Sequence, residues 1–284
     1  MKIALFGRDG QVATEVRRRV PSDVSLTVLD RTQADFLNPD QIADVTRTLD
    51  VDAIINAVAY TQVDQAEDDA ERARIINADA VAALAKGAAA TNTPVVHIST
   101  DYVFSGEGTK PWVPTDAVDP QCVYGATKLQ GEQALTATGV PHAILRTSWV
   151  FSAHRINFAK TMLKLGDSHT RLTIVSDQIG GPTPSADIAD ACLTLARGLA
   201  DGATGGTYHF SGTQDTSWAG FAREIFDQTG QTVDVVDIPT DEFPRPAKRP
   251  LNSRLDCSTL EADFGISRPD WREGLKTVLH ELST

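Results

Sequence analysis

Cysteine is scarce in this chain. Cys122, Cys192 and Cys257 are the only three among 284 residues, and they lie far apart. That count excludes a disulfide framework, and no pair has the spacing of metal ligands, so inert thiols in a reducing compartment are expected. Long apolar runs are lacking as well. The longest, near Val51–Tyr60 and Val95–Ser99, fall far short of the roughly 20 residues that span a bilayer. Basic residues are outnumbered, 26 against 38 acidic, which leaves a net charge of −12. A nucleic-acid binder must neutralise phosphates with a basic face, so that class is excluded. The opening Met1–Phe6 runs straight into a glycine loop, without the apolar core and cleavage site of a signal peptide. A cytoplasmic protein is expected, with neither membrane nor nucleic acid as a partner. The six histidines are scattered, and core or surface roles are expected for each.

The residues that are present follow an α/β rhythm. Short β-branched runs at Lys2–Phe6, Ser25–Leu29, Ala53–Ala57, Pro94–Ser99 and His142–Arg146 predict strands. Between them, helical spacing predicts helices at Gln11–Val20, Asp40–Leu49, Ala70–Ala90 and Tyr124–Thr138. Regular alternation predicts a Rossmann-type, doubly wound parallel sheet over residues 1–150. Beyond Trp149 the rhythm loosens. Helices are expected at Phe158–Leu165, Ser185–Leu199, Trp218–Thr229 and Leu275–Leu282, and strands at Leu172–Val175, Thr207–Phe210 and Val233–Ile238. Pro239–Pro250 carries four prolines and reads as a loop. Residues 151–284 are thus expected to form a smaller α/β domain, with about 171–200 returning to the first sheet.

Three motifs bear on chemistry. Gly7-Arg8-Asp9-Gly10-Gln11-Val12-Ala13 joins the first strand to the first helix, where backbone can approach a pyrophosphate at a helix N-terminus. Its spacing is G-x-x-G-x-x-A, and such a turn alone serves nucleotide sites and plain corners alike. Asp30, 20 residues beyond Gly10, stands where a carboxylate binds ribose hydroxyls. Tyr124 and Lys128 share a helix face at i and i+4, and a neighbouring ammonium is expected to draw a phenol's pKa down toward working range. Thr100 and Asp101 follow the fourth strand at its C-terminal end, where open parallel sheets bind ligands and a hydroxyl can polarise a carbonyl.

With these three motifs in order, the chain resembles the extended short-chain dehydrogenase/reductases, and within them the dTDP-4-dehydrorhamnose reductases. FGRDGQV, STDYVFSGEGTKPWVPTD, VYGATKLQGEQAL, RTSWVF, DQIGGPT and PAKRPLNSRLD carry the likeness across nearly the whole chain. The resemblance implies a catalytic set of Thr100, Tyr124 and Lys128. It implies cofactor contacts at Gly7, Gly10, Gln11, Val12, Asp30, Arg31, Asp35, Phe36, Ala59, Tyr60, Thr61 and Ile98, with Tyr124 and Lys128 also on the nicotinamide side. It implies sugar contacts at Thr100, Asp101 and Trp149, and that the domain of residues 151–284 binds substrate. Ala13 replaces the usual glycine, and Tyr60 stands where histidine is common.

The implied activity is NAD(P)H-dependent reduction of the 4-keto group of a nucleotide-linked 6-deoxyhexose, dTDP-4-dehydro-L-rhamnose giving dTDP-L-rhamnose. A reductase of the opposite stereochemistry, a sugar epimerase and a non-catalytic cofactor-binding subunit remain alternatives. Dehydratases of the superfamily place Asp-Glu after the strand-four threonine, whereas Asp101-Tyr102 follows here. Arg245, Lys248, Arg249 and Arg254 crowd ten positions of an acidic chain. Guanidinium groups pair with phosphate oxygens, so Arg249 and Arg254 are expected to bind the substrate's diphosphate. Asp30 favours NADH and the adjacent Arg31 can offset its repulsion of a 2′-phosphate, which predicts use of both NADH and NADPH. Some relatives join subunits through magnesium. Glu15 matches one such position but Ala186 falls at the other, so a homodimer is open and no metal is expected.

Overall fold

A computed structural model covers residues 1–284. Six parallel strands form its central sheet: β1 (Lys2–Phe6), β2 (Ser25–Leu29), β3 (Ala53–Asn56), β4 (Val95–Thr100), β5 (His142–Thr147) and β6 (Gly206–Phe210). Their spatial order is β6-β5-β4-β3-β1-β2. The chain therefore reverses direction across the sheet between β1 and β3, and a crevice opens there at the strands' C-terminal ends.

Side-chain alternation along the strands divides the core in two. Ile3, Leu5, Ile55, Val96 and Leu145 face α1 (Gln11–Arg19) and the later helix Ser185–Ala200. Ala4, Phe6, Ile54, Val95 and Ile144 face the opposite layer, which includes α2 (Pro39–Arg47), α3 (Ala80–Thr91) and α4 (Val123–Ala137). The inner strands β1 and β3 are buried on both faces, which explains why their sequences are apolar runs rather than alternating, whereas edge strand β2 alternates. Just before α3, Ile75–Asp79 forms a π-helical turn. It turns buried Asn77 toward Tyr60, whose backbone N–H donates to Asn77 Oδ1 at 2.8 Å. One loop beside the crevice is thereby pinned to a helix.

The second half does not stay apart. α5 (Ser185–Ala200) covers one face of the central sheet, and β6 extends its edge beside β5. Strand Arg171–Val175 behaves differently, pairing in parallel with Asp234–Ile238 in a separate two-stranded sheet. Of residues 171–200, then, the helix returns to the first sheet and the strand does not. Helices Phe158–Gly166, α6 (Trp218–Thr229) and α7 (Trp271–Ser283) pack around Phe151, Phe221, Phe226 and Trp271 in a third core. Pro239–Pro250 is loop apart from a single 3-10 turn at Thr240–Glu242. Helix Ser258–Phe264 has no counterpart in the sequence expectation. All three cysteines are free and buried, and burial pushes the Cys192 thiol up to about 12. No helix is long and apolar enough to cross a membrane.

Candidate active site

The glycine loop sits at the crevice between β1 and β3. Gly7 has φ +106°, which calls for glycine, and a Cβ there would also sit tightly against Val58 Cγ2 at 3.3 Å. Gly10 caps α1 without a side-chain hydrogen bond, and no acidic residue occupies the helix's first turn. The first backbone N–H groups of α1 are left for an outside acceptor, which suits an anion at the positive helix end. A Cβ at Gly10 would meet nothing within 4 Å, so the approach is open.

Two cavities meet at this loop. The larger, about 880 Å³, is lined by Gly10, Gln11, Val12, Ala59, Tyr60 and Thr61 on one side. Ile98, Thr100, Asp101, Tyr124, Lys128 and Trp149 line it on the other. The smaller, about 310 Å³, is lined by Gly7, Asp30, Arg31, Asp35, Phe36 and Ala59. Gly10, Ala57, Val58, Ala59, Arg72, Ile76 and Arg155 belong to both, so the two are halves of one groove. An elongated, two-lobed groove with a helix N-terminus at its waist fits a dinucleotide. Every residue expected at the cofactor or in the catalytic set lines it.

Thr100, Tyr124 and Lys128 come from two adjacent elements. β4 ends at Thr100, and α4 lies behind it with Tyr124 in its first turn. The helix can seat this closely because Gly125 has no Cβ; one would stand 2.2 Å from the Tyr102 carbonyl oxygen. The Thr100 hydroxyl faces the Tyr124 phenol and also donates to Asp101 Oδ1 at 3.1 Å. Burial pushes the Tyr124 phenol well above its ordinary range. This reverses the expected direction. The Lys128 ammonium is turned to the Ile98 carbonyl, 2.7 Å from Nζ, and to His97 Nε2 at 3.3 Å, so desolvation decides. The phenol accordingly holds its proton throughout the neutral range, the state a proton donor needs. Lys128 is buried, and desolvation brings its ammonium down to about 8.

Asp101 is buried beside the trio, and loss of water raises its carboxyl to about 6. Its Oδ2 has no hydrogen-bond partner and faces the equally unpartnered Ser253 hydroxyl. Trp149 adopts φ +49°, which turns its indole into the groove against Trp218 of α6.

Several side chains are placed otherwise than the sequence suggested. Asp30 Oδ1 accepts from Thr32 N and Oγ1, and its other oxygen meets Arg8 Nη1 at 3.3 Å. Arg31 turns away to Asp35, 3.5 Å distant, so the guanidinium on Asp30 is Arg8's. The Gln11 side-chain oxygen accepts from Ser152 and Asn157, which fixes the amide and leaves its Nε2 and the backbone N–H as donors for a ligand. Arg249 and Arg254 line neither cavity and form no common patch. Arg249 pairs with Asp64 at 2.8 Å, while Arg254 turns to Asn252 and Asp215. Arg245 also reaches Asp64, at 3.3 Å, and Lys248 donates to the Gln121 side-chain oxygen. Glu15 meets His154 and Glu281, their ligand atoms within 4.8 Å of one another, and the Arg18 guanidinium sits among them. Arg72, Arg155 and Trp218 line the groove without having carried any signal beyond their residue type.

Over residues 1–284 the chain matches the family model described as RmlD substrate binding domain. A dTDP-4-dehydrorhamnose reductase from Sinorhizobium fredii is 40% identical over 289 residues, covering 99% of this chain and 98% of its own. The chain belongs to the dTDP-4-dehydrorhamnose reductase family. A solved member of this family from Clostridium acetobutylicum superposes with a TM-score of 0.94 at 36% identity, covering 100% of both chains. Another, from Bacillus anthracis in complex with NADP, gives a TM-score of 0.91 at 32% identity over 99% of each chain.

Proposed function

We propose that this protein reduces the 4-keto group of dTDP-4-dehydro-L-rhamnose to give dTDP-L-rhamnose, with NADPH as reductant. The observation that carries the reading is the convergence of Thr100, Tyr124 and Lys128 on one wall of the two-lobed groove. The smaller cavity would hold the adenosine end at Asp30, Asp35 and Phe36, and the α1 N-terminus the pyrophosphate. Tyr60, Thr61, Ile98 and Lys128 would flank the nicotinamide end. When bound, the reduced nicotinamide supplies the hydride that reaches carbon 4. Tyr124 donates its proton to the carbonyl oxygen, and the Thr100 hydroxyl hydrogen-bonds the same oxygen as charge gathers there. Asp101 and Trp149 orient the sugar.

Residues 151–284 serve mainly to bind the substrate, and Arg249 is the cation we assign to its diphosphate. Arg249 Nη1 is buried without a partner and the guanidinium lies near Tyr102, which lines the groove. NADH serves alongside NADPH, since Asp30 and Arg8 act in opposite senses on a 2′-phosphate. Work on such a soluble precursor fits the cytoplasm. Offering dTDP-4-dehydro-L-rhamnose with NADPH and identifying the product by NMR tests the reading. A dTDP-L-rhamnose product is expected, and a 6-deoxytalose product or no turnover would overturn it.

A further inference from the structure

We propose that the buried pair Asn56 and His97 positions Lys128 and sets its proton affinity, with His97 held as the neutral imidazole that carries its proton on Nε2. The starting point is a match of lengths. Alternate residues on β4 lie about 6.6 Å apart and residues one turn apart on α4 about 6 Å, so two contacts can repeat in register. His97 accordingly meets Lys128, and Ser99 meets Glu132 four residues on.

Donors and acceptors then fix the proton. The Val58 backbone N–H can only donate, and it points at the Asn56 side chain at 3.1 Å, so the atom there is the carbonyl Oδ1. The amide Nδ2 must therefore be the atom 3.1 Å from His97 Nδ1, to which it donates. A ring nitrogen that accepts carries no proton, so the proton of neutral His97 sits on Nε2. That N–H is aimed at Lys128 Nζ, 3.3 Å away. An ammonium offers only donors, and two N–H groups facing each other in a dry interior repel. An amine, by contrast, accepts from Nε2–H and still donates to the Ile98 carbonyl at 2.7 Å.

The surroundings leave this contact in control. His97 is fully buried, and burial together with Lys128 holds its imidazole well below the ordinary range. The remaining ionisable neighbours are few. His142 stands near His97 from β5. On α4 itself Tyr124 lies one turn before Lys128 and Glu132 one turn after, and Glu132 is already paired with Arg146 of β5 at 2.7 Å. Val58 lines both lobes of the groove, so the chain Val58–Asn56–His97–Lys128 links the cofactor loop to the proton machinery. Asn56 and His97 are positioning residues in this scheme and touch no reacting atom.

The kinetic consequence rests on the proposed function, with the Lys128 ammonium at the nicotinamide end required in its charged form for turnover, whereas the tautomer does not. Long-range 15N–1H correlation on histidine-labelled protein with NADPH added reads the tautomer directly, with His97 identified as the ring perturbed in Asn56→Asp. The expected wild-type signal is a bare Nδ1 and a protonated Nε2. A protonated Nδ1, or an imidazolium at pH 7, overturns the proposal. In Asn56→Asp a carboxylate still accepts from Val58 but cannot donate to the ring. The ring proton should then move to Nδ1, freeing Nε2 to accept from the ammonium. The alkaline limb of the kcat profile should move up by about one pH unit, a tenfold change in proton affinity. A switched tautomer with an unmoved limb overturns the link to Lys128. Should that variant fail to fold, the ring signal lost in His97→Gln identifies His97, and the wild-type spectrum then decides.

Discussion

Trp149 lies flat on Trp218, their ring centroids 3.7 Å apart and their planes 12° from parallel. One indole follows β5 and the other opens α6, so the stack joins the central sheet to the third core across the groove. Stacked aromatic pairs contribute about 0.5–1.5 kcal/mol beyond their buried area. Trp218→Ala should free the Trp149 ring and raise the KM for the sugar nucleotide roughly 2- to 12-fold. Steady-state kinetics in both substrates checks this, with the KM for NADPH expected to stay within about twofold.

Tyr124→Phe keeps the ring and removes the phenol that holds the proton. Turnover should fall about 100-fold or more while NADPH still binds. Lys128→Met should lose turnover and weaken cofactor binding together. Titration of cofactor fluorescence alongside the rate separates the two effects.

Asp101 makes stability depend on pH in an unusual direction. Its carboxyl titrates near 6 in the folded chain against 3.8 as the ordinary value. The folded state therefore holds the proton more tightly, and stability falls as pH rises from about 4 to 6 before levelling off. Asp101→Asn lacks this fall. Its unfolding free energy should gain on the wild type across that window by on the order of 3 kcal/mol. Urea unfolding at pH 4 and pH 7.5 measures the difference, and equal gaps at both values would contradict it.

The doubly wound sheet was legible because period and composition agree over its first five strands. The α6 boundaries, Trp218–Thr229, coincide with the sequence reading, since Ser217 caps one end and Gly230 closes the other. That Thr100, Tyr124 and Lys128 would share one wall was legible from their spacing beside strand ends, and the rest of the groove's lining from the resemblance. What the sequence could not carry was side-chain pairing. Arg8 and Arg31 are equally plausible partners for Asp30 until the loop geometry is known, and the clustered cations gave no hint that Asp64 and Asp215 would divide the three arginines. For His97 the sequence gives only a core or surface role, and it lies in the core. Its one available signal was the i, i+2 match with Ser99 against Lys128 and Glu132 at i, i+4.

Cofactor choice should turn on Arg8. With the Asp30 carboxylate opposing a 2′-phosphate and the Arg8 guanidinium attracting it, NADH and NADPH efficiencies should lie within about tenfold of each other. Arg8→Ala should shift preference toward NADH, Asp30→Ala toward NADPH, and Arg31→Ala should shift it less than Arg8→Ala. Comparing kcat/KM for both cofactors in the four proteins tests the ranking.

The two arginines once expected to share the diphosphate should now behave differently. Arg249→Ala should raise the substrate KM about tenfold or more, the effect of losing one charge-assisted bond. Arg254, turned to Asn252 and Asp215, should leave that KM within about twofold when replaced by alanine. Equal effects would place both side chains at the substrate.

The return of α5 and β6 to the central sheet has a consequence during synthesis. When residue 150 leaves the ribosome, Ile3, Leu5, Ile55, Val96 and Leu145 still lack α5, whose Ile188, Ala189, Cys192 and Leu195 join them in the finished core. The 60 residues from 150 to 210 take roughly 3–12 s to emerge at 5–20 residues per second. For that interval the nascent sheet has a bare apolar face and an unpaired β5 edge, the combination that recruits chaperones or aggregates. A chain stalled near residue 160 would expose that face and that edge, and one released past 210 would have covered both.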